Sequence, residues 1–154
     1  MAEPLPTRDE INVFDSLDER CAVEHFLGKS LVEAEALFRE NFLYYQEDLM
    51  FMGARAFCFY VRAAINFLRD PESQAGCDDV SIFLTDVEFR LDWCDAGDDV
   101  SPSIPAIREG MEQIISQWDR YGCDSAIIVE NYGDVRRRCL ALLERLRNFR
   151  PATS

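Results

Sequence analysis

This 154-residue chain contains few of the residue patterns that enzymes use for metal or nucleophilic chemistry. His25 is the only histidine, so sites that need two imidazoles, such as H-E-x-x-H zinc sites or the paired Glu-x-x-His sites of di-iron bundles, cannot form. The sequence contains no G-x-S-x-G motif, no Gly-rich phosphate loop and no Cys-x-x-Cys pair. We therefore expect no metal, nucleotide or covalent cofactor, and we assign no catalytic residue.

Carboxylates are the chemical groups that the sequence supplies in excess. The chain has 29 acidic and 16 basic residues, a formal charge of -13, and within residues 70–99 the only base is Arg90. A field of this sign repels phosphate backbones and anionic lipid surfaces and attracts basic proteins. The stretch predicts a solvated face, a weak cation site or a recognition surface for a basic protein partner, whose candidate residues are Asp78, Asp79, Asp95, Asp98 and Asp99.

Aromatic residues cluster between positions 42 and 60 and offer a second kind of site. Such a cluster is typical of a buried core. The alternative is the wall of a pocket, in which the hydroxyls of Tyr44, Tyr45 and Tyr60 and the guanidinium of Arg62 orient a small molecule. That pocket would suit a small-molecule-binding protein or a minor hydrolase.

The elements that must position these residues are helices. Apolar residues recur at three- and four-residue spacing, and Ser30 followed by Glu33 is typical of a capping box. Residues 54–69 are apolar nearly all round, which predicts a central helix surrounded by others. The polar residues of this helix form one narrow stripe that must meet carboxylates or water; they are Arg55, Arg62, Asn66 and Arg69.

These patterns predict one all-α domain of five to seven helices over residues 11–150, with flexible tails at 1–10 and 151–154. The sequence leaves the secondary structure of two segments undecided. Residues 41–52 either continue a helix or form a connector. Residues 86–93 fit both a helix and a strand, and we favour the helix because a lone strand leaves its backbone groups unpaired.

Three consecutive arginines begin the last predicted helix, Arg136, Arg137 and Arg138. The helix dipole disfavours positive charge at this end. The arginines therefore predict pairing with the acids of the first hundred residues, an anion-binding site, or simple exposure to water.

The first residues carry an acid and two prolines where an export signal has bases and an apolar run, and no apolar run is long enough to span a membrane. We expect a cytoplasmic protein without membrane association. The six cysteines are then expected to be thiols that serve as small apolar residues, with Cys77 and Cys94 the most exposed.

One short motif spans the start of the central helix, and its residues are Phe51, Met52, Ala56, Phe57, Tyr60 and Ala63. It resembles a motif of small uncharacterised bacterial proteins: an apolar pair, a turn, then Ala-Phe-x-x-Tyr-x-x-Ala. In that motif proline precedes the last alanine, where this chain has Arg62. The resemblance implies a small helical bacterial domain and no particular activity.

The charge pattern favours a non-enzymatic interaction protein that presents its acidic middle to a basic protein, as toxin-neutralising or nucleic-acid-mimicking proteins do. Direct binding of nucleic acid is not expected. The contrasting hypothesis is the aromatic pocket around Tyr44 and Tyr60.

Overall fold

Apolar residues at helical spacing, preceded at several points by Ser or Thr, fold into helices along nearly the whole chain. The computed structural model describes residues 3–95 and 97–150. Within these ranges there are nine α-helices and no β-strand. The helices are α1 (Arg8–Ile11), α2 (Leu17–Phe26), α3 (Leu31–Tyr45), α4 (Glu47–Phe51), α5 (Ala54–Arg69), α6 (Cys77–Asp92), α7 (Ile104–Ser116), α8 (Ala126–Tyr132) and α9 (Val135–Arg147).

The predicted all-α class is confirmed. Seven of the helices have seven or more residues, and α1 and α4 add single turns. The capping box of Ser30 and Glu33 is present at the start of α3. None of the helices in the described ranges is long and apolar enough to cross a membrane.

The two segments left open by the sequence are both largely helical. In residues 41–52, α3 kinks at Asn41, where φ is -162° and ψ is 86°, and the backbone then continues to Tyr45 and into α4. Residues 86–92 belong to α6, which ends at the cap residue Trp93. The favoured helix is therefore confirmed, and the alternating pattern reflects a helix with both buried and exposed faces.

Helix α5 is the centre of the core, packed between α3 and α7. The arginines of its polar stripe each have hydrogen-bond partners, although the buried Nη1 atom of Arg55 has none among the described residues. Arg55 donates to the carbonyl of Pro4 (2.7 Å) and Arg62 donates to Glu3 (2.6 Å). Arg69 instead donates to two amide oxygens, those of Asn66 and Gln113, both at 2.8 Å.

The amino-terminal segment lies against α5. The predicted tail, 1–10, includes the first residues of α1, and Gly53 allows the close approach of this helix because a Cβ there would clash with the carbonyl oxygen of Glu10. The contact between this segment and α5 has no local signal in the sequence, because Glu3 and Arg62, which are bonded across it, are 59 residues apart. The other predicted tail, 151–154, lies outside the described residues.

The last helix, α9, is tied to α6 by ion pairs. Arg138 donates to Glu88 and Arg145 to Asp92, both at 2.7 Å. The predicted pairing of the carboxyl-terminal arginines with upstream acids is thus confirmed for Arg138, whereas Arg136 and Arg137 are exposed.

Cys77, at the start of α6, and Cys123, before α8, form a disulfide and are both buried. The prediction that all six cysteines are thiols is wrong for this pair, and so is the expected exposure of Cys77. The pairing has no local signal, because 46 residues separate the two positions and only the packing of the helices brings them together. Cys94 is partly buried and free.

Asp86 is an unpartnered acid in the core. It is fully buried, and within the described residues neither of its carboxyl oxygens has a hydrogen-bond partner. Burial, together with the charge of Glu47, raises the pKa of Asp86 from 3.8 to about 9. The group is therefore protonated at neutral pH, and the fold is built around an uncharged carboxyl.

The disulfide closes a loop that is open in the unfolded reduced chain. Restricting a loop of this length lowers the entropy of the unfolded state by an amount worth about 4 kcal/mol. We expect the double variant Cys77→Ala/Cys123→Ala to lose a free energy of unfolding of that order in urea titrations. A matched loss should follow reduction of the parent protein by dithiothreitol, and an unchanged urea midpoint after reduction would contradict the pairing.

The raised pKa of Asp86 makes stability depend on pH in a defined direction. Between pH of about 4 and about 9 the folded protein holds a proton that the unfolded chain has released, so the free energy of unfolding falls as pH rises, by up to about 1.4 kcal/mol per pH unit. Asp86→Asn removes this dependence. Its free energy of unfolding relative to the parent should increase from about pH 5 to about pH 8, and a difference that stays constant over this range would contradict the raised pKa.

Candidate functional site

A cleft of 370 Å³ lies where the start of α2, helix α4 and the end of α6 meet. We call it the aromatic cleft. Its aromatic lining residues are Phe14, Phe51, Phe89 and Trp93, and its charged lining residues are Glu19, Arg90, Asp95 and Asp98. Phe51 and Phe89 meet edge to face, and Phe89 is followed by Trp93, so the rings form a row along one wall.

Two aromatic side chains of the cleft are turned towards solvent. Phe14 is 80% exposed and Trp93 is 67% exposed. Phe14 belongs to the loop between α1 and α2, and Trp93 is the residue that ends α6. Large apolar side chains so exposed at one cleft are typical of surfaces that a partner covers.

The loop that carries Phe14 is fixed by the buried carboxylate of Glu19. This carboxylate accepts hydrogen bonds from the backbone amides of Val13 (2.6 Å), Phe14 (3.0 Å) and Ser16 (3.2 Å), and from the hydroxyl of Ser16 (2.8 Å). Asp15 adopts a left-handed conformation, with φ of 57°, which lets the loop fold around the carboxylate. Phe14 is therefore held outward by a specific structure.

Glu19 is only 2% exposed, yet its carboxylate stays ionised. Burial by itself acts to raise the pKa of Glu19, but the hydrogen bonds from Phe14, Ser16 and Val13 outweigh it and lower the pKa. Hydrogen bonds to an ionised carboxylate favour its charged form. The loop and the charge consequently stabilise each other.

Arg90 is the second buried charge at the cleft, and it is 3% exposed. Its guanidinium donates to the carbonyls of Met50 (2.9 Å) and Met52 (2.7 Å) and to the carboxylate of Asp98 (3.1 Å). It also lies 4.9 Å from the centre of the Phe57 ring. Burial lowers the pKa of Arg90 while Asp98 acts to raise it. Arg90 thereby joins α6 to the end of α4 and to the loop after Trp93.

The structure separates the five predicted acidic residues into two groups. Asp95 and Asp98 line the aromatic cleft, and Asp99 follows in the same loop. Asp78 and Asp79 lie at the opposite end of α6, roughly 20 Å away along the helix. Asp79 there accepts a hydrogen bond from the amide of Gly76 (3.0 Å). The five candidate acids therefore do not form one continuous face.

The four residues of the alternative pocket do not come together as a binding wall. Tyr60 is fully buried, and its hydroxyl donates to the carbonyls of Phe26 (2.7 Å) and Lys29 (2.9 Å). Burial raises the pKa of Tyr60 to about 12. Arg62 lies over the Phe59 ring and is bound to Glu3.

Tyr44 and Tyr45 instead flank His25. Of the four predicted pocket residues, these two are neighbours in space as well as in sequence. Within the described ranges, no group of three or more His, Cys, Asp or Glu side chains is arranged to hold a metal ion.

Sequence reasoning missed Phe14, Glu19 and Trp93, which line the aromatic cleft together with the predicted Asp95 and Asp98. The spacing of Ser16 and Glu19 is that of a capping box, so one local signal was present. The further hydrogen bonds to Val13 and Phe14 depend on the left-handed turn at Asp15, which the residue types do not specify. Comparison of the chain with family models, curated proteins and solved structures found no match.

Replacing Glu19 by Gln leaves the size of the side chain unchanged but removes its charge and half of its acceptor capacity. We expect Glu19→Gln to lower the free energy of unfolding by about 2 kcal/mol, because buried backbone amides lose their partner. Amide hydrogen exchange at Val13, Phe14 and Ser16 should accelerate.

The matched control is Glu24→Gln, an exposed position on the same helix, for which neither quantity should change. Unaltered exchange at Phe14 in the Glu19→Gln protein would show that the carboxylate does not hold the loop.

Proposed function

We propose that the protein is a non-enzymatic interaction protein and that the aromatic cleft binds a basic segment of a partner protein. The observation that carries this proposal is the paired exposure of Phe14 and Trp93 at a cleft whose rim is acidic. Exposed aromatic anchors surrounded by polar residues resemble the energetic centres of protein interfaces, where such side chains contribute most of the affinity.

The rigidity of the cleft supports this function. A partner that binds a preformed surface loses less conformational entropy than one that must order a loop. Glu19 holds the Phe14 loop, and Arg90 holds the end of α4 and the loop of Asp98, so both walls are formed before binding.

The negative charge around the aromatic cleft favours a basic partner. Asp95 and Asp99 are exposed beside the cleft, and the chain as a whole has a formal charge of -13. A basic protein is attracted to such a surface from a distance, and an acidic one is repelled. We infer a role in masking the basic surface of that partner, as an immunity protein or a nucleic-acid mimic would.

The proposal is tested with a fluorescein-labelled peptide of arginines around a central leucine, followed by fluorescence anisotropy. We expect binding that weakens as salt rises, because exposed charges are screened. Phe14→Ser and Trp93→Ser should each raise the Kd by about tenfold or more, since each removes an aromatic anchor. Asp95→Asn should reduce the affinity and its salt dependence.

The controls are a peptide with glutamates in place of the arginines and the variants Ile127→Ser and Asp124→Asn, which are exposed on or before α8. Thermal unfolding shows that each variant is folded. Equal binding of the acidic peptide, or a larger effect of Ile127→Ser than of Phe14→Ser, would contradict the proposed interface.

A further inference from the structure

The side chains of Asp48, His25 and Tyr44 form a hydrogen-bonded row outside the aromatic cleft. The Nδ1 atom of His25 is 2.6 Å from a carboxylate oxygen of Asp48, and the Nε2 atom of the same ring is 3.4 Å from the hydroxyl of Tyr44. Asp48 is buried, the imidazole is partly buried and Tyr44 is 56% exposed. The three groups thus run from the interior to solvent.

Each of the three residues lies in a different helix. His25 lies in the last turn of α2, Asp48 lies in α4, and Tyr44 lies in the final turn of α3, beyond the kink at Asn41. The side chain of Asn41 accepts a hydrogen bond from the amide of Tyr44 (3.1 Å). Tyr45 packs edge to face against both His25 and Tyr44, which fixes the plane of the imidazole.

The role of each ring nitrogen depends on the tautomer of the imidazole. In the tautomer with its proton on Nδ1, the ring donates to the carboxylate of Asp48. The lone pair of Nε2 then faces the hydroxyl of Tyr44. A separation of 3.4 Å is long for a hydrogen bond, but such contacts commonly tighten when a reactant binds. A hydroxyl, a base and a group that orients the base are the arrangement that activates a nucleophile.

We propose that Tyr44 is an acyl-accepting nucleophile, activated by His25 and oriented through Asp48. In the reaction, the Tyr44 oxygen forms a bond to the carbonyl carbon of an activated ester. The hydroxyl proton passes to Nε2 of His25, and the bond to the leaving alkoxide or aryloxide breaks with its electron pair. The product is an acyl ester of Tyr44, and Asp48 stabilises the imidazolium until it releases its proton to the leaving group.

Tyr44 is exposed, so a donor can reach it from solution. Because the acyl group is transferred to the Tyr44 oxygen, the reaction modifies the protein itself. The donor class is an activated ester. This reactivity does not depend on the aromatic cleft.

The probe is p-nitrophenyl acetate, and the acetylated residues are identified by peptide mass spectrometry over time. We expect Tyr44 to react about 100-fold faster or more than N-acetyltyrosinamide, in line with the contribution of a positioned base. His25→Ala should lose this advantage and regain part of it when imidazole is added to the solution. Imidazole rescue distinguishes a chemical role of His25 from a merely structural one.

Tyr44→Phe should abolish the fast acetylation, and Tyr132→Phe, at an exposed position of α8, is the control that should preserve it. Asp48→Asn should slow it by about tenfold or more, because the imidazole is no longer held in the required tautomer. Acetylation of Tyr44 at the rate of Tyr132, an exposed tyrosine without an imidazole neighbour, would overturn the proposal. So would a His25→Ala protein that is folded and reacts as fast as the parent.

Discussion

The aromatic cleft depends on one constraint, which is that two buried charges must each be surrounded by hydrogen-bond partners. An unpaired charge in the interior costs several kcal/mol. Glu19 meets this requirement with backbone amides of the 13–16 loop. Arg90 meets it at both Nη atoms, with backbone carbonyls at the end of α4 and with Asp98, whereas its Nε atom has no partner among the described residues. Because both charges draw on irregular backbone, they determine where that backbone lies and how the aromatic side chains above it are presented.

Polar side chains also provide hydrogen-bond partners for the backbone at other helix ends in the molecule. The last carbonyls of a helix have no partner within it. Tyr60 donates to carbonyls at the end of α2 and just beyond it, and Tyr121 donates to the carbonyl of Leu68 near the end of α5 (2.7 Å). Arg120 donates to the carbonyl of Asp70 (2.6 Å). Polar side chains thus join the helices at their ends while apolar side chains fill the space between them.

The parts of the structure that were predictable are those with local causes. Helical periodicity and the capping box at Ser30 depend on residues a few positions apart, so α3, α5 and α9 could be anticipated from the sequence. The aromatic cleft, the Cys77–Cys123 disulfide and the buried Asp86 depend on contacts between distant segments. For the candidate site, the sequence indicated Asp95 and Asp98 through charge, but it gave no sign that Phe14 and Trp93 would lie beside them.

We propose that a preformed aromatic cleft, and not the acidic stretch as a whole, recognises a basic partner. The most direct measurement is an NMR titration of the isotope-labelled protein with the arginine and leucine peptide. We expect shifts concentrated at the amides of Val13 and Phe14 and at the indole of Trp93, with Asp78 and Asp79 unaffected. Shifts centred on Asp78 and Asp79, or spread evenly over all acidic residues, would contradict it.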